Sequence, residues 1–198
     1  MATPISAALV KELREQTGAG MMECKKALEA CDGNIERATE ELRKWGITKA
    51  GKKAGRTAAE GIVVIANDGK QAAMVEINSE TDFVARDINF TTFAKAVAEV
   101  ALANKVHEVA DLSVLPLAGH TGTVEEARQA LITKVGENVQ IRRITLSHNA
   151  PAVGTYVHSN RIGVIVEVDA DQPDFTRDVA MHIAASRPLV VTPDQVSP

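Results

Sequence analysis

Glu80 and Asp82 stand two positions apart where an apolar run ends, a spacing that would let two carboxylates share acid and base work if both faced one cavity. Cys24 and Cys31 supply the other nucleophile class, and His107, His120, His148, His158 and His182 are the bases or metal ligands on offer. None of this assembles into a recognisable centre. The histidines are scattered singly, without a second His or Cys at a metal-ligand spacing, so packed or surface histidines are expected and no metal site is read. On a helix the two thiols would lie about 10 Å apart along the axis. That is beyond the ~7 Å reach of a disulfide, so each reads as a buried helical thiol, consistent with a reducing cytosol. Carboxylates next to a strand end, such as Glu80 and Asp82, read as solvated loop residues. No G-x-x-x-x-G-K-[ST] loop is present, and Gly18-Ala19-Gly20 precedes a helix without following a strand, so no nucleotide or other cofactor is expected.

Composition points to a globular protein that needs neither metal nor disulfide to fold. Of the 198 residues 45% are hydrophobic and 24% charged, but only 3% are aromatic, so the core must be aliphatic and each aromatic residue, Phe83 above all, needs a reason for its place. Net charge is −4, with the basic excess confined to the first 60 residues, which argues against nucleic acid as a direct partner. The N-terminal residues do not read as a secretion leader and no run approaches a membrane span, so a cytoplasmic protein without membrane contact is expected.

The elements that must position these residues follow from periodicity. Ile5, Leu9, Val10 and Leu13 line one helical face, broken at Thr17-Gly18-Ala19-Gly20. A second series, Met22, Ala27, Leu28 and Cys31, stops at Asp32-Gly33-Asn34. There Asn34 can cap a third helix carrying Ile35, Ala38, Leu42 and Trp45. A three-helix head over 1–47 is expected, then a basic linker or exposed helix over 48–60, whose Lys49, Lys52, Lys53 and Arg56 read as a solvated face.

After Gly61 the period shortens to two. Asn67-Asp68-Gly69 between two β-rich runs signals a hairpin. Phe90, Phe93, Val97, Val100 and Ala101 then suggest a helix, VEEARQALITKVG a second, and NVQIRRITLS a third strand. The stretch from Gly154 to Phe175 parallels that from Gly61 to Phe83 and continues into another helix. The fold class is therefore α+β, with a core of two related subdomains of antiparallel sheet plus helix, 61–150 and 151–198, the second incomplete at the C-terminus.

KELREQTGAGMMECKKAL, NSETDFVARD, GENVQIRR, RIGVIVEV and AMHIAAS occur in that order, and together they resemble the elongation factor Ts family from about residue 5 to the last residue. The head then resembles the ubiquitin-associated type of three-helix bundle. The resemblance implies a guanine nucleotide exchange factor without catalytic chemistry of its own. Such a factor would form a heterodimer with elongation factor Tu in protein biosynthesis, disturb its Mg²⁺ site and promote GDP release so that GTP can bind. It also implies two contact regions: Thr81, Asp82, Phe83 and Val84 as the loop that acts on the Mg²⁺ site, and Arg14, Met21, Met22 and Lys25 on the head. Adjacent helical residues point about 100° apart, so Met21 and Met22 cannot both face one core and one is expected at the surface.

Two other readings compete. A binding module would use the head to recruit a partner and the core as scaffold, yet a scaffold gives no reason for an aromatic residue in the loop at Phe83. An enzyme would use Cys24 or Cys31 as nucleophile, which requires an accessible thiol. On residue chemistry alone, Phe83 packed beneath its own loop and Asp82 capping the next helix would be the simpler arrangement.

Overall fold

In the computed structural model, which describes residues 5–196, the Ser6 hydroxyl accepts the Leu9 N–H at 3.2 Å and starts α1, Ala7–Thr17. Residues 1–4 of the head and 197–198 of the second subdomain lie outside the described residues. Gly18 ends α1 at φ +67°, a left-handed conformation that glycine adopts without a Cβ clash. Helix α2 is Met21–Ala30 and α3 is Ile35–Lys53, capped by Asn34 as its side chain accepts the Arg37 N–H at 2.9 Å. Val10, Leu13, Cys24, Ala27, Leu28, Ala38 and Leu42 close the bundle core.

Met22 does not belong to that core. It is 64% exposed and Met21 59%, because Ala19 of the preceding turn, Cys24 and Ala27 already fill the space under the start of α2. The expectation that one of the pair would be covered is corrected to two exposed thioethers.

Residues 48–53 are helical and continue α3, so only 54–59 connect the head to the sheet. The last turns of α3 pack on α7, Val124–Val135. Gly46 allows the approach: a Cβ there would lie 3.2 Å from Thr133 Oγ1. Ala50 is 5% exposed and joins the larger core. Of the four basic residues expected as a solvated face, Lys52 is exposed, while the other three have partners. Lys49 pairs with Glu23, Lys53 donates to the Gly136 carbonyl, and Arg56 lies 3.5 Å from Glu80.

Strands β1 (Glu60–Asn67), β2 (Ala72–Ser79) and β3 (Gln140–Leu146) form an antiparallel sheet in that order, with a register shift at Glu76/Ile77 opposite β3. Alternation gives the sheet two apolar faces. Ile62, Val75, Ile77 and Ile141 meet α5, Ile88–Ala103, whose Phe90, Ala94, Val97 and Ala101 are fully buried. Each such Val, Ile or Phe side chain contributes about 1.5–3 kcal/mol by leaving water, and each Ala methyl about 0.8 kcal/mol. Short helices α4 (Asp82–Ala85) and α6 (Val109–Ser113) flank α5 in the chain.

The opposite face receives a second hairpin, β4 (Ala152–His158) with β5 (Ile162–Val168). Gly163 sits where it crosses: a Cβ would fall 2.5 Å from Met74 Sδ and 2.6 Å from Val63 Cγ1, so a side chain there would force the layers apart. The Val63 N–H donates to the Asn160 carbonyl at 2.8 Å, and Asn67 Nδ2 donates to the Val153 carbonyl at 3.0 Å. Helix α8, Pro173–Ser186, covers the hairpin's far side. The chain is α+β, with an N-terminal helical bundle and antiparallel sheets carrying helices.

Candidate interaction site

The apolar strand β2 ends at Ser79, and the two residues that follow, Glu80 and Thr81, are held by several hydrogen bonds. Thr81 is the N-cap of α4, its hydroxyl oxygen accepting the Val84 N–H at 3.4 Å. That hydroxyl donates to Glu137 Oε1 at 2.7 Å while the Thr81 N–H donates to Glu137 Oε2 at 3.0 Å. The Thr81 carbonyl accepts from Ser79 Oγ at 2.9 Å. Glu80 reciprocates, its Oε1 accepting the Asn138 N–H at 2.6 Å. Two loops 56–58 residues apart in sequence thus exchange carboxylates.

Glu80 is therefore not the solvated loop carboxylate that its position suggested; its side chain is 22% exposed. Asp82 does not cap α4, since Thr81 does. Its carboxylate instead meets Arg86 at 2.8 Å across one turn, with Arg86 80% exposed. Val84 and Ala85 are buried in the main core, while Phe83 is 82% exposed and packs under nothing. Ile88, 73% exposed, stands at the start of α5. Asp87 caps that helix. A side-chain hydrogen bond from Asn89, joined by the N–H groups of Asn89 and Phe90, holds its carboxyl below the usual aspartate range despite partial desolvation.

On the head, Arg14 closes the last turn of α1 and Lys25 pairs loosely with Glu29 at 3.8 Å, both with Met21 and Met22 on exposed surface. Lys134 links the two regions. Its Nζ donates to Asn89 Oδ1 at 2.7 Å, and its methylenes pass 3.6 Å from where a Gly18 Cβ would stand, so the α1–α2 turn lies beside the start of α5.

A family model described as "Elongation factor TS" matches residues 80–198, and one described as "UBA/TS-N domain" matches residues 5–42. The chain is 58% identical over 194 residues to "Elongation factor Ts" of Arthrospira platensis, covering 97% of this chain and 78% of that protein. It is 56% identical over 194 residues to the protein of the same name from Legionella pneumophila (strain Paris), covering 97% of this chain and 66% of that one. The chain belongs to the elongation factor Ts family. It spans about two thirds to four fifths of the length of these relatives.

Within that family assignment, sequence reasoning passed over Glu137 and Asn138 and misread Glu80 as a solvated loop carboxylate. Glu137 and Asn138 lie inside the GENVQIRR stretch that carried part of the resemblance, and a loop pair Glu-Asn just before a strand is the one local signal they give. Asn138 is fully buried and donates through Nδ2 to the Arg56 carbonyl at 2.8 Å. Other chemistry is not gathered here. Cys24 and Cys31 are buried in the bundle, where Cys24 Sγ points at the Ala19 carbonyl at 3.8 Å. Among the described residues no group of three or more His, Cys, Asp or Glu could hold a metal ion, and no helix is long and apolar enough to cross a membrane. An open concavity of about 460 Å³ beside Asn67, Asp68, Glu99 and Lys105 contains neither a thiol nor a histidine.

Proposed function

We propose that this chain binds elongation factor Tu carrying GDP, disturbs its Mg²⁺ site and promotes GDP release so that GTP can enter, without catalytic chemistry of its own and in the cytoplasm. The observation that carries this reading is Phe83: an aromatic side chain 82% exposed on a loop whose neighbours are buried or multiply hydrogen-bonded. A large apolar group is left in water beside the buried Val84 and Ala85. In an exchange factor it has a use, because a rigid apolar wedge can shift a partner's side chains, and GDP and Mg²⁺ hold one another in a GTPase, so displacing Mg²⁺ ligands loosens the β-phosphate as well. Asp82, held by Arg86, presents charge beside the wedge. Arg14, Met21, Met22 and Lys25 form the second contact, with adaptable thioethers suited to docking.

Stopped-flow release of a fluorescent GDP from elongation factor Tu, with and without this chain, tests the reading. Acceleration that rises with concentration and saturates is expected; release at the intrinsic rate at all concentrations would refute it.

A further inference from the structure

The Phe83 loop owes its shape to a residue outside it. Glu137 accepts both donors of Thr81, the N–H at 3.0 Å and the hydroxyl at 2.7 Å, and the Ser79 hydroxyl donates to the Thr81 carbonyl. Every polar group of Thr81 is thereby engaged two residues before Phe83, and Val84 and Ala85 are buried directly after it. The Glu137 segment is itself fixed from the other side. Gly136 accepts from Lys53 at the end of α3, the Asn138 N–H is taken by Glu80, and Asn138 Nδ2 is taken by the Arg56 carbonyl.

We infer that Glu137 is a positioning residue for exchange, on the exchange reading given above: its carboxylate clasps Thr81 and presets the direction in which Phe83 leaves the surface. It touches the partner's nucleotide site only through Phe83. A wedge already ordered loses little freedom when it inserts, so the free energy of contact goes into displacing the partner's groups. Carboxylate is the right chemistry for the task. Two acceptor oxygens in one plane meet an N–H and an O–H at once, and bonds to a charged acceptor are stronger than neutral ones.

Glu137→Ala removes both bonds; Glu137→Gln keeps the shape, with its amide oxygen able to accept the Thr81 N–H and its NH₂ able to donate to the Thr81 hydroxyl, but it removes the charge. Two measurements on the full chain read the consequence, with circular dichroism as the check of fold and the Gln variant carrying the comparison should the Ala variant unfold. In the first, the Thr81 amide should exchange its hydrogen at least about tenfold faster in the Ala variant, as expected for losing one charge-assisted bond, and faster by a smaller factor in the Gln variant, whose neutral oxygen accepts more weakly. In the second, a titration of GDP release should give a maximal rate reduced about tenfold for Ala and less for Gln, with the half-saturating concentration changed less than about twofold. A merely structural role would raise the half-saturating concentration by lowering the active fraction and leave the maximal rate alone.

Unchanged Thr81 exchange would overturn the clasp itself. Faster exchange with an unaltered maximal rate, or a loss confined to the half-saturating concentration, would overturn the positioning role. Should the unsubstituted chain fail to accelerate release, the exchange reading falls and the positioning role with it, while the Thr81 exchange rates still report on the clasp.

Discussion

Phe83 and Val84 are adjacent in the chain and opposite in exposure, 82% against 9%. On the proposed reading, one turn of α4 would separate contact from stability. Phe83→Ala should leave the unfolding free energy within about 0.5 kcal/mol, as for an exposed residue without partners. It should slow GDP release from elongation factor Tu by at least about tenfold, the loss expected for an aromatic hot spot. Val84→Ala should do the reverse, lowering stability by about 1–3 kcal/mol through the cavity it opens and changing exchange little while folded. Urea unfolding read beside stopped-flow release separates the two.

Removal of the head should cost the core some stability without unfolding it. Ala50 is buried against the main core, and Arg43 pairs with Glu126 on α7. Deleting residues 1–53 should therefore lower the core's stability by about 1–2 kcal/mol, mostly the burial of one methyl and its neighbours plus a weak surface pair. The shortened chain should also bind elongation factor Tu more weakly, as titration calorimetry would read; equal affinity would make the head a passenger.

Acid should weaken the start of α7. Burial raises the Glu125 pKa, but the Arg128 hydrogen bond and charge, with Gln129, outweigh it and hold the carboxyl below the usual glutamate value of 4.5. A glutamate with a depressed folded pKa contributes stability that is complete above 4.5 and is lost as pH falls through the folded value. Urea midpoints measured from about pH 6 down to about pH 3 should fall, and Glu125→Gln should flatten that slope while lowering stability at neutral pH.

Thermodynamic linkage constrains the pair of proteins whichever contact matters. If the chain lowers the GTPase's affinity for GDP by some factor, GDP must lower the GTPase's affinity for the chain by the same factor. Each tenfold is about 1.4 kcal/mol. Dissociation constants measured for nucleotide-free and GDP-bound elongation factor Tu should differ widely, and Phe83→Ala should narrow the gap. Equal constants would describe a passive partner.

Helix ends and the hairpins were legible because local chemistry specifies them. Gly18 and Asn34 stop and start helices by their own backbone and side-chain preferences, and Asp68-Gly69 turns the first hairpin. The matching second hairpin was visible as repetition of the same pattern. The continuation of α3 was not. Its contacts with α7 run through Gly46 and Ala50, small residues that leave no hydrophobic periodicity, and through lysines whose partners lie elsewhere in the chain. The clasp was hidden for the same reason: Glu80 and Glu137 look like ordinary loop carboxylates until tertiary structure brings each to the other's backbone. Phe83 and the head residues were legible only through resemblance, since exposure of an apolar residue contradicts what composition alone would suggest.

The unbroken α3 also sets how the head and the Phe83 loop would cooperate. Two patches joined by a flexible tether engage one partner at an effective concentration set by the tether's length, and much of their joint strength is lost to its disorder. Here α3 packs on α7 and only residues 54–59 follow it before the sheet, with Lys53 and Arg56 bonded into the loop that holds Thr81. That packing would hold the spacing between Met21 and Phe83 more tightly than a flexible tether could, like the gap of a caliper. A surface that matches it gains the second contact with almost no further loss of freedom, and a surface that misses it by a few ångströms forfeits one contact entirely. Selectivity among related GTPases would then reside in a distance as much as in any side chain.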